Sequence, residues 1–304
     1  MLAWLPELHG DPSLMVLALV AAMVNGAIGY GFSTLVVPVA LLLYPSKTLT
    51  PGLVLAEIVL NLLALLVNRR AVPAVFWRVF PMMLASLPGI ALGVTLLKNA
   101  SPDTLRFGTY ALLLPLVLLQ AAGLRRPLPK DSRAELPVGF GIGVLYSCTT
   151  ISGPPLGLLF NNQGLAQDEF RAAISLFRIT ESVATAIAFA FLSIYTPASV
   201  SLSLQILPCI LIGLPIGRLA IAMIDPETFR RICMAADAWL ISFGLSRLLT
   251  SYGSLSARLA YVPMLAVLIL DGVILYRFFQ RRRIERKASA AQSQHDRAGD
   301  RSNV

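Results

Sequence analysis

The sequence predicts an all-α integral membrane protein. It has two homologous halves, each with a broken or re-entrant helix, and one extra transmembrane helix at the C-terminus. Three observations carry this. Of 304 residues, 56% are hydrophobic and only 13% charged, with a mean hydropathy of +0.73. Soluble domains carry about 25% charged residues. The second observation is a pair of interruptions, Asn25-Gly26-Ala27-Ile28-Gly29-Tyr30-Gly31-Phe32-Ser33-Thr34 and Ser147-Cys148-Thr149-Thr150-Ile151-Ser152-Gly153-Pro154-Pro155, each inside an apolar segment. The third is a repeat: Gly89, Gly93, Glu57 and Lys47 reappear as Gly213, Gly217, Glu181 and Arg171 at one offset of 124 residues. The two breaks align at a slightly shorter offset, so one gap is needed.

Taken in order, apolar segments fall at 13–25 and 33–44 around the first break, then at 51–67, 74–97 and 104–123. Segments 136–147 and 154–160 flank the second break, followed by 172–194, 198–222, 229–249 and 259–279. A membrane-spanning helix needs about 20 residues. The pieces beside the breaks are too short to cross upright alone, so each pair reads as one broken span, a re-entrant hairpin or two short tilted crossings. Leu53–Val67 and Ile179–Ile194 lack the polar face of a soluble helix. The resulting organisation is 12–123 as the first repeat, 136–249 as the second, 259–279 as the added helix, and 281–304 as a basic, disordered cytoplasmic tail. No Lys or Arg precedes Lys47, so the first apolar stretch lacks the basic start of a secretory signal and reads as retained.

The formal charge of +9 could point to nucleic acid, but its placement argues otherwise. From Arg277 onward there are eight basic and three acidic residues, over half the net charge in one tail after an apolar span. Such a tail is an ordinary cytoplasmic anchor. The same rule orients the chain. If each broken segment enters and leaves on one side, 18 Lys and Arg fall inside and 5 outside; if the second break crosses once, the split is 9 and 14. The first arrangement makes the halves inverted repeats, the plan of several secondary transporters. It puts the C-terminus in the cytoplasm and the N-terminus outside. Trp4, Trp77 and Tyr195 sit where interface anchors are expected.

The breaks are the first candidates for chemistry. Asn25 can donate and accept. Gly26, Gly29 and Gly31 open backbone conformations closed to other residues. Tyr30, Ser33, Thr34, Thr149, Thr150 and Ser152 bring hydroxyls, and Gly153 with Pro154 and Pro155 suits a helix start. Freed N–H groups at the following half-helix can bind an anion at the positive end of the helix dipole. The same residues also fit a packing kink, with hydroxyls bonding back to carbonyls.

Ionisable groups inside spans come second, being rare and functional by default. Glu57 and its repeat partner Glu181 are candidate proton-coupling carboxylates. Asn61 lies one turn after Glu57. Arg178 lies one turn before Glu181, where the two can pair at i, i+3 or Arg178 can bind an oxyanion through its planar fork. Asp237 is a third mid-span carboxylate that could titrate or hold Arg218. Asp271, in the added helix, reads as structural or as a partner contact. Arg78 and Arg218 sit near segment ends, where snorkelling is expected. Cys148, Cys209 and Cys233 have no metal spacing, and His9 and His295 lie in polar termini. No P-loop, metal cluster or nucleophile motif appears, so no cofactor and no enzyme is expected.

Gly26-x-x-Gly29-x-Gly31 followed by Pro38, a second copy ending Ser152-Gly153-Pro154-Pro155, and the pairs Gly89/Gly93 and Gly213/Gly217 resemble the sulfite exporter TauE/SafE family of permeases, over about residues 12–250. The resemblance implies two homologous halves and transport of sulfite, sulfonates or related organosulfur anions. The chain departs from the family pattern where Tyr30 and Phe32 enter the first break and hydroxyl residues the second, which leaves room for a different anion.

The reading is therefore a bacterial inner-membrane, multi-pass permease for a small anion, a sulfur oxyanion or organosulfonate, working by alternating access with proton coupling or as a uniporter. Its partners are the solute and the lipid bilayer, with a homodimer left open. The rival readings are a channel-like pore for a small ion and a non-transporting assembly or sensor protein.

Overall fold

The computed structural model describes residues 11–122, 132–220, 226–251 and 257–280, and among these no strand occurs. The helices are α1 (Pro12–Ile28), α2 (Phe32–Leu43), α3 (Ser46–Val67), α4 (Val72–Asn99), α5 (Pro102–Ala121), α6 (Ser132–Thr149), α7 (Gly153–Asn162), α8 (Gln167–Phe191), α9 (Pro197–Ala220), α10 (Pro226–Ser251) and the single turn α11 (Ala257–Ala260). A last helix, α12, runs over Val262–Gln280. Six helical segments are long and apolar enough to cross a membrane: Ser46–Val67, Arg69–Asn99, Gln167–Phe191, Pro197–Ala220, Arg231–Ser251 and Val262–Gln280. Within the described residues, each apolar segment expected from sequence contains a helix. Trp4, His9 and the tail at 281–304 lie outside the described residues.

Both breaks exist, and they are narrower than the sequence suggested. Only residues 29–31 and 150–152 leave the helices. Asn25 is still within α1, and Ser33 and Thr34 already belong to α2. Gly29 closes α1 with φ +98°, its N–H bonded to the Asn25 carbonyl at 2.7 Å, and Gly31 follows at φ +114°. In the second break a threonine, Thr150, holds the left-handed conformation at φ +62°, which costs a non-glycine residue about 1–2 kcal/mol.

The halves pack crosswise. The broken helix α1 lies against α9, and the broken helix α6 against α4. Likewise α4 meets α8 as α9 meets α3, while α3 pairs with α8 and α5 with α10 across the centre. The glycines repeated in sequence make these contacts close. A Cβ on Gly217 would lie 1.8 Å from the Met23 carbonyl oxygen of α1, and one on Gly93 only 2.1 Å from Ser147 Oγ of α6. Small residues let helix backbones touch inside a membrane, where dispersion between close-packed helices replaces the hydrophobic drive.

The outer ends of each broken segment meet one another. Tyr44, just past α2, donates to Asp11, just before α1, at 3.3 Å. Gln163, just past α7, donates to Glu135 in the first turn of α6 at 3.2 Å. Each outer end is also held by an arginine: Arg106 bonds the Tyr44 carbonyl and Arg78 the Gln163 carbonyl, both at 3.3 Å. Arg78 is thus tied into the structure rather than snorkelling. Lys47, three residues past Tyr44, bonds the carbonyl of Lys98 at 2.9 Å. Arg78 and Lys98 lie near opposite ends of α4, about 30 Å apart at the rise of a helix.

Apolar side chains cover the outside: Trp77 is 78% and Phe191 85% exposed. Only 11% of α12 is buried. Its end meets α10 where Arg231 stacks over the Phe278 ring at 4.3 Å.

Candidate functional site

The polar residues deepest in the molecule come from five helices and both halves. Arg178 on α8 is 1% exposed, and Glu57 on α3 is fully buried. Arg178 Nη2 lies 2.7 Å from Glu57 Oε1. The same guanidinium donates to Ser33 Oγ at 3.3 Å and to Asn25 Oδ1 at 3.4 Å. Ser33 donates to Glu57 Oε1, and Tyr146 donates to Glu57 Oε2 at 2.8 Å. Both carboxylate oxygens are therefore bonded. Behind them, Ser182 Oγ sits 2.9 Å from the Tyr146 hydroxyl and accepts from Asn61 at 2.8 Å. Burying two charges costs several kcal/mol per ion, which close geometry and extra hydrogen bonds can offset. Here Ser33, Asn25 and Tyr146 supply those bonds.

This corrects the local pairing expected from sequence. Arg178 engages Glu57 of the other half, not Glu181 on its own helix. Both oxygens of Glu181 are buried with no ion pair, and the Ser152 hydroxyl faces them. Asp237 is likewise buried with both oxygens unbonded, and its neighbour is Thr34 rather than Arg218. Arg218 is exposed instead.

The two breaks touch. A Cβ on Gly153 would lie 3.0 Å from the ring of Tyr30, which is itself buried and packs edge-on against Phe170. Carbonyls freed where α1 and α6 stop are taken up across the halves. Arg171 on α8 donates to Ala27 at 2.6 Å, and Thr50 on α3 donates to Cys148 at 3.3 Å. The helices that restart, α2 and α7, begin with no side chain bonded to their first N–H groups. Both starts present the positive end of a helix dipole, and α2 also presents N–H donors, whereas Pro154 and Pro155 leave α7 with little more than the Gly153 N–H.

Most of the break hydroxyls are already occupied. Thr34 bonds the Gly31 carbonyl at 2.9 Å, Thr149 that of Leu145 at 2.7 Å, and Thr150 that of Thr149 at 2.6 Å. For these three the kink reading describes the geometry. Ser33 is spent on the ion pair, and Ser152 faces Glu181. Cys148 donates its thiol to the Gly93 carbonyl at 3.1 Å, a packing role. Tyr146 and Ser182 were missed in the sequence reading. Ser182 lies four residues after Arg178, on the same helix face, and Tyr146 one residue before the second break. The helical period around Arg178 would have flagged Ser182; only the fold brings in Tyr146.

Buried charge between halves, helices interrupted at their meeting point, and an apolar exterior define a multi-pass membrane protein of the transporter kind. The comparison with family models makes this specific. The model described as "Sulfite exporter TauE/SafE" matches residues 14–243, and the chain belongs to that family. The family suggests a membrane exporter of the sulfite type, a transporter rather than an enzyme, with a small solute and the lipid bilayer as partners. No curated protein and no solved structure matches the chain.

Proposed function

We propose that the protein carries a small anion, a sulfur oxyanion or organosulfonate, across the bacterial inner membrane by alternating access. The observation that carries this is the Arg178–Glu57 pair, set between Asn25 and Ser33 of the first break and beside the point where Tyr30 meets Gly153. Each broken segment is a re-entrant hairpin. Support comes from the bonds joining its outer ends, Tyr44 to Asp11 and Gln163 to Glu135. The two hairpins open on opposite sides, consistent with their ties to opposite ends of α4, and this makes the halves inverted repeats with a cytoplasmic C-terminus.

Arg178 is the anion ligand, aided by Asn25, Tyr30 and Ser33 and by the amides of Gly31 and Gly153 at the breaks, while Gly29, Thr34, Thr149 and Thr150 shape the kinks that present them. Glu57 occupies the guanidinium as an internal anion. An incoming oxyanion displaces it, and a displaced carboxylate at membrane depth takes up a proton rather than remain buried and charged. One proton then travels with one anion. Glu181 and Asp237, the other proton-coupling candidates, each need a proton or a cation to stay buried.

The test is uptake into proteoliposomes across a panel of sulfite, taurine, sulfoacetate, sulfate and simple carboxylates, with counterflow of labelled solute. A sulfur oxyanion or sulfonate that exchanges labelled for unlabelled solute, with affinity rising as pH falls, is expected. Glu57→Gln should flatten that pH dependence. Transport without counterflow would make the protein a channel, and no uptake of any anion would end the carrier reading.

A further inference from the structure

Each half places a glutamate, a polar residue one turn later and a serine of its break together, but only one of the two sets is satisfied. In the first half these are Ser33, Glu57 and Asn61. The offset of 124 carries Glu57 to Glu181 and Asn61 to Thr185, while Ser152 stands just before α7 where Gly31 stands just before α2. Every member of the first set is bonded: Ser33 and Glu57 to Arg178, Asn61 to Ser182. No member of the second set is. Ser152 Oγ, both Glu181 oxygens and Thr185 Oγ1 are buried with no partner, and all three residues are fully buried. The reason is visible in the sequence. Arg178 has Val54 as its counterpart, so no second guanidinium exists to complete the second set.

Thr185 sharpens the point. Other hydroxyls of α8 turn back onto their own helix: Ser175 to Arg171, Thr180 to Leu176 and Ser182 to Arg178, at 2.7–3.0 Å. Thr185 does not. It lies one turn after Glu181, on the same face, and Ser152 approaches that carboxylate from the break. Four oxygen atoms and one negative charge thus remain unspent in one place. The C-terminus of α6, ending at Thr149, adds the negative end of a helix dipole nearby.

We infer that Ser152, Glu181 and Thr185 bind a sodium ion, which occupies in the second half the role that the Arg178 guanidinium fills in the first. An all-oxygen donor set suits a hard cation. A single carboxylate charge matches a monovalent one, leaving the buried site neutral. The other charged or titratable groups facing Glu181 are Arg178 on its own helix, Glu57 on α3 and Tyr146 on α6. Arg178 is committed to Glu57 at 2.7 Å, and Tyr146 donates to that same carboxylate. A proton on Glu181 would also neutralise the site, which is why the test below compares cations at fixed pH. Sodium would take up the carboxylate charge and the hydroxyl oxygens together.

This assignment adds a coupling ion to the carrier reading, but its test needs no transported solute. The purified full chain in detergent is heated in sodium, potassium or choline chloride at equal ionic strength and fixed pH. Sodium should raise the unfolding midpoint in a saturable way, because a ligand that binds only the folded state stabilises it. Potassium and choline should not. Glu181→Gln should weaken the apparent sodium affinity at least about tenfold, the cost of one charged ligand. Thr185→Val and Ser152→Ala should weaken it less, and they provide the readout if Glu181→Gln fails to fold. Equal midpoints in all three salts, or a sodium shift that survives these substitutions, would overturn the assignment. A sodium shift without any anion transport would leave the site standing and remove the carrier reading. Anion transport with no sodium shift would do the reverse.

Discussion

The first half of the protein and the second begin from similar sequence and end in different electrostatic states. In the first, the break serine and the α3 glutamate are locked by a guanidinium borrowed from the other half. In the second, the equivalent serine and glutamate have hydrogen-bonding capacity left over. One residue, arginine at 178 against valine at 54, separates the two sites: it pairs the glutamate of the first half and leaves that of the second without a guanidinium. The backbones differ in the same spirit. The first break bends at glycines, whereas the second holds Thr150 in a conformation glycine would adopt more easily.

The largest test of this asymmetry removes the guanidinium. Arg178→Ala leaves Glu57 buried and unpaired, and should cost about 3–5 kcal/mol of folding stability. Adding Glu57→Gln to that variant should recover most of the loss. Glu181→Gln in sodium-free medium should cost less than about 1 kcal/mol, because no bond is broken. Unfolding midpoints in detergent read all three, and equal losses at Glu57 and Glu181 would erase the distinction.

A smaller effect tests what the halves share. Gly93→Ala and Gly217→Ala should each cost about 1–3 kcal/mol by forcing the crossed helices apart. Gly108→Ala, where a Cβ meets nothing within 4 Å, should stay within about 0.5 kcal/mol of the parent. Loss at only one of the two contact glycines would show that the crosswise clasp is not common to both halves. The smallest change is at the second break: Thr150→Gly should stabilise by about 1 kcal/mol by relieving its left-handed conformation, and Gly31→Ala should do the opposite. Thermal midpoints of both variants check the sign.

Much of the architecture was legible in the chain. Length and hydropathy place the helices because the bilayer sets a nearly fixed span and tolerates no unsatisfied backbone. The matching glycines at 89, 93, 213 and 217 marked the places where helices touch, because close contact admits little else. Asn25, Ser33, Glu57 and Arg178 were each readable as candidates, since charge and amide groups are rare in spans. Their assembly was not. The sequence favours Arg178 with Glu181 because one turn of helix separates them, yet the guanidinium turns to Glu57. Nor did the chain show that Thr149 and Thr150 spend their hydroxyls on nearby carbonyls, or that Tyr146 completes the ion pair.

What the sequence determined by itself is the list of segments and the two places where they break, because those follow from local hydropathy and backbone freedom along the chain. The tertiary structure alone decided which buried charge meets which, and so which glutamate is satisfied and which is left open. Partners such as Glu57 and Arg178 lie far apart in the chain, and the distance that governs their interaction is set by how the halves cross.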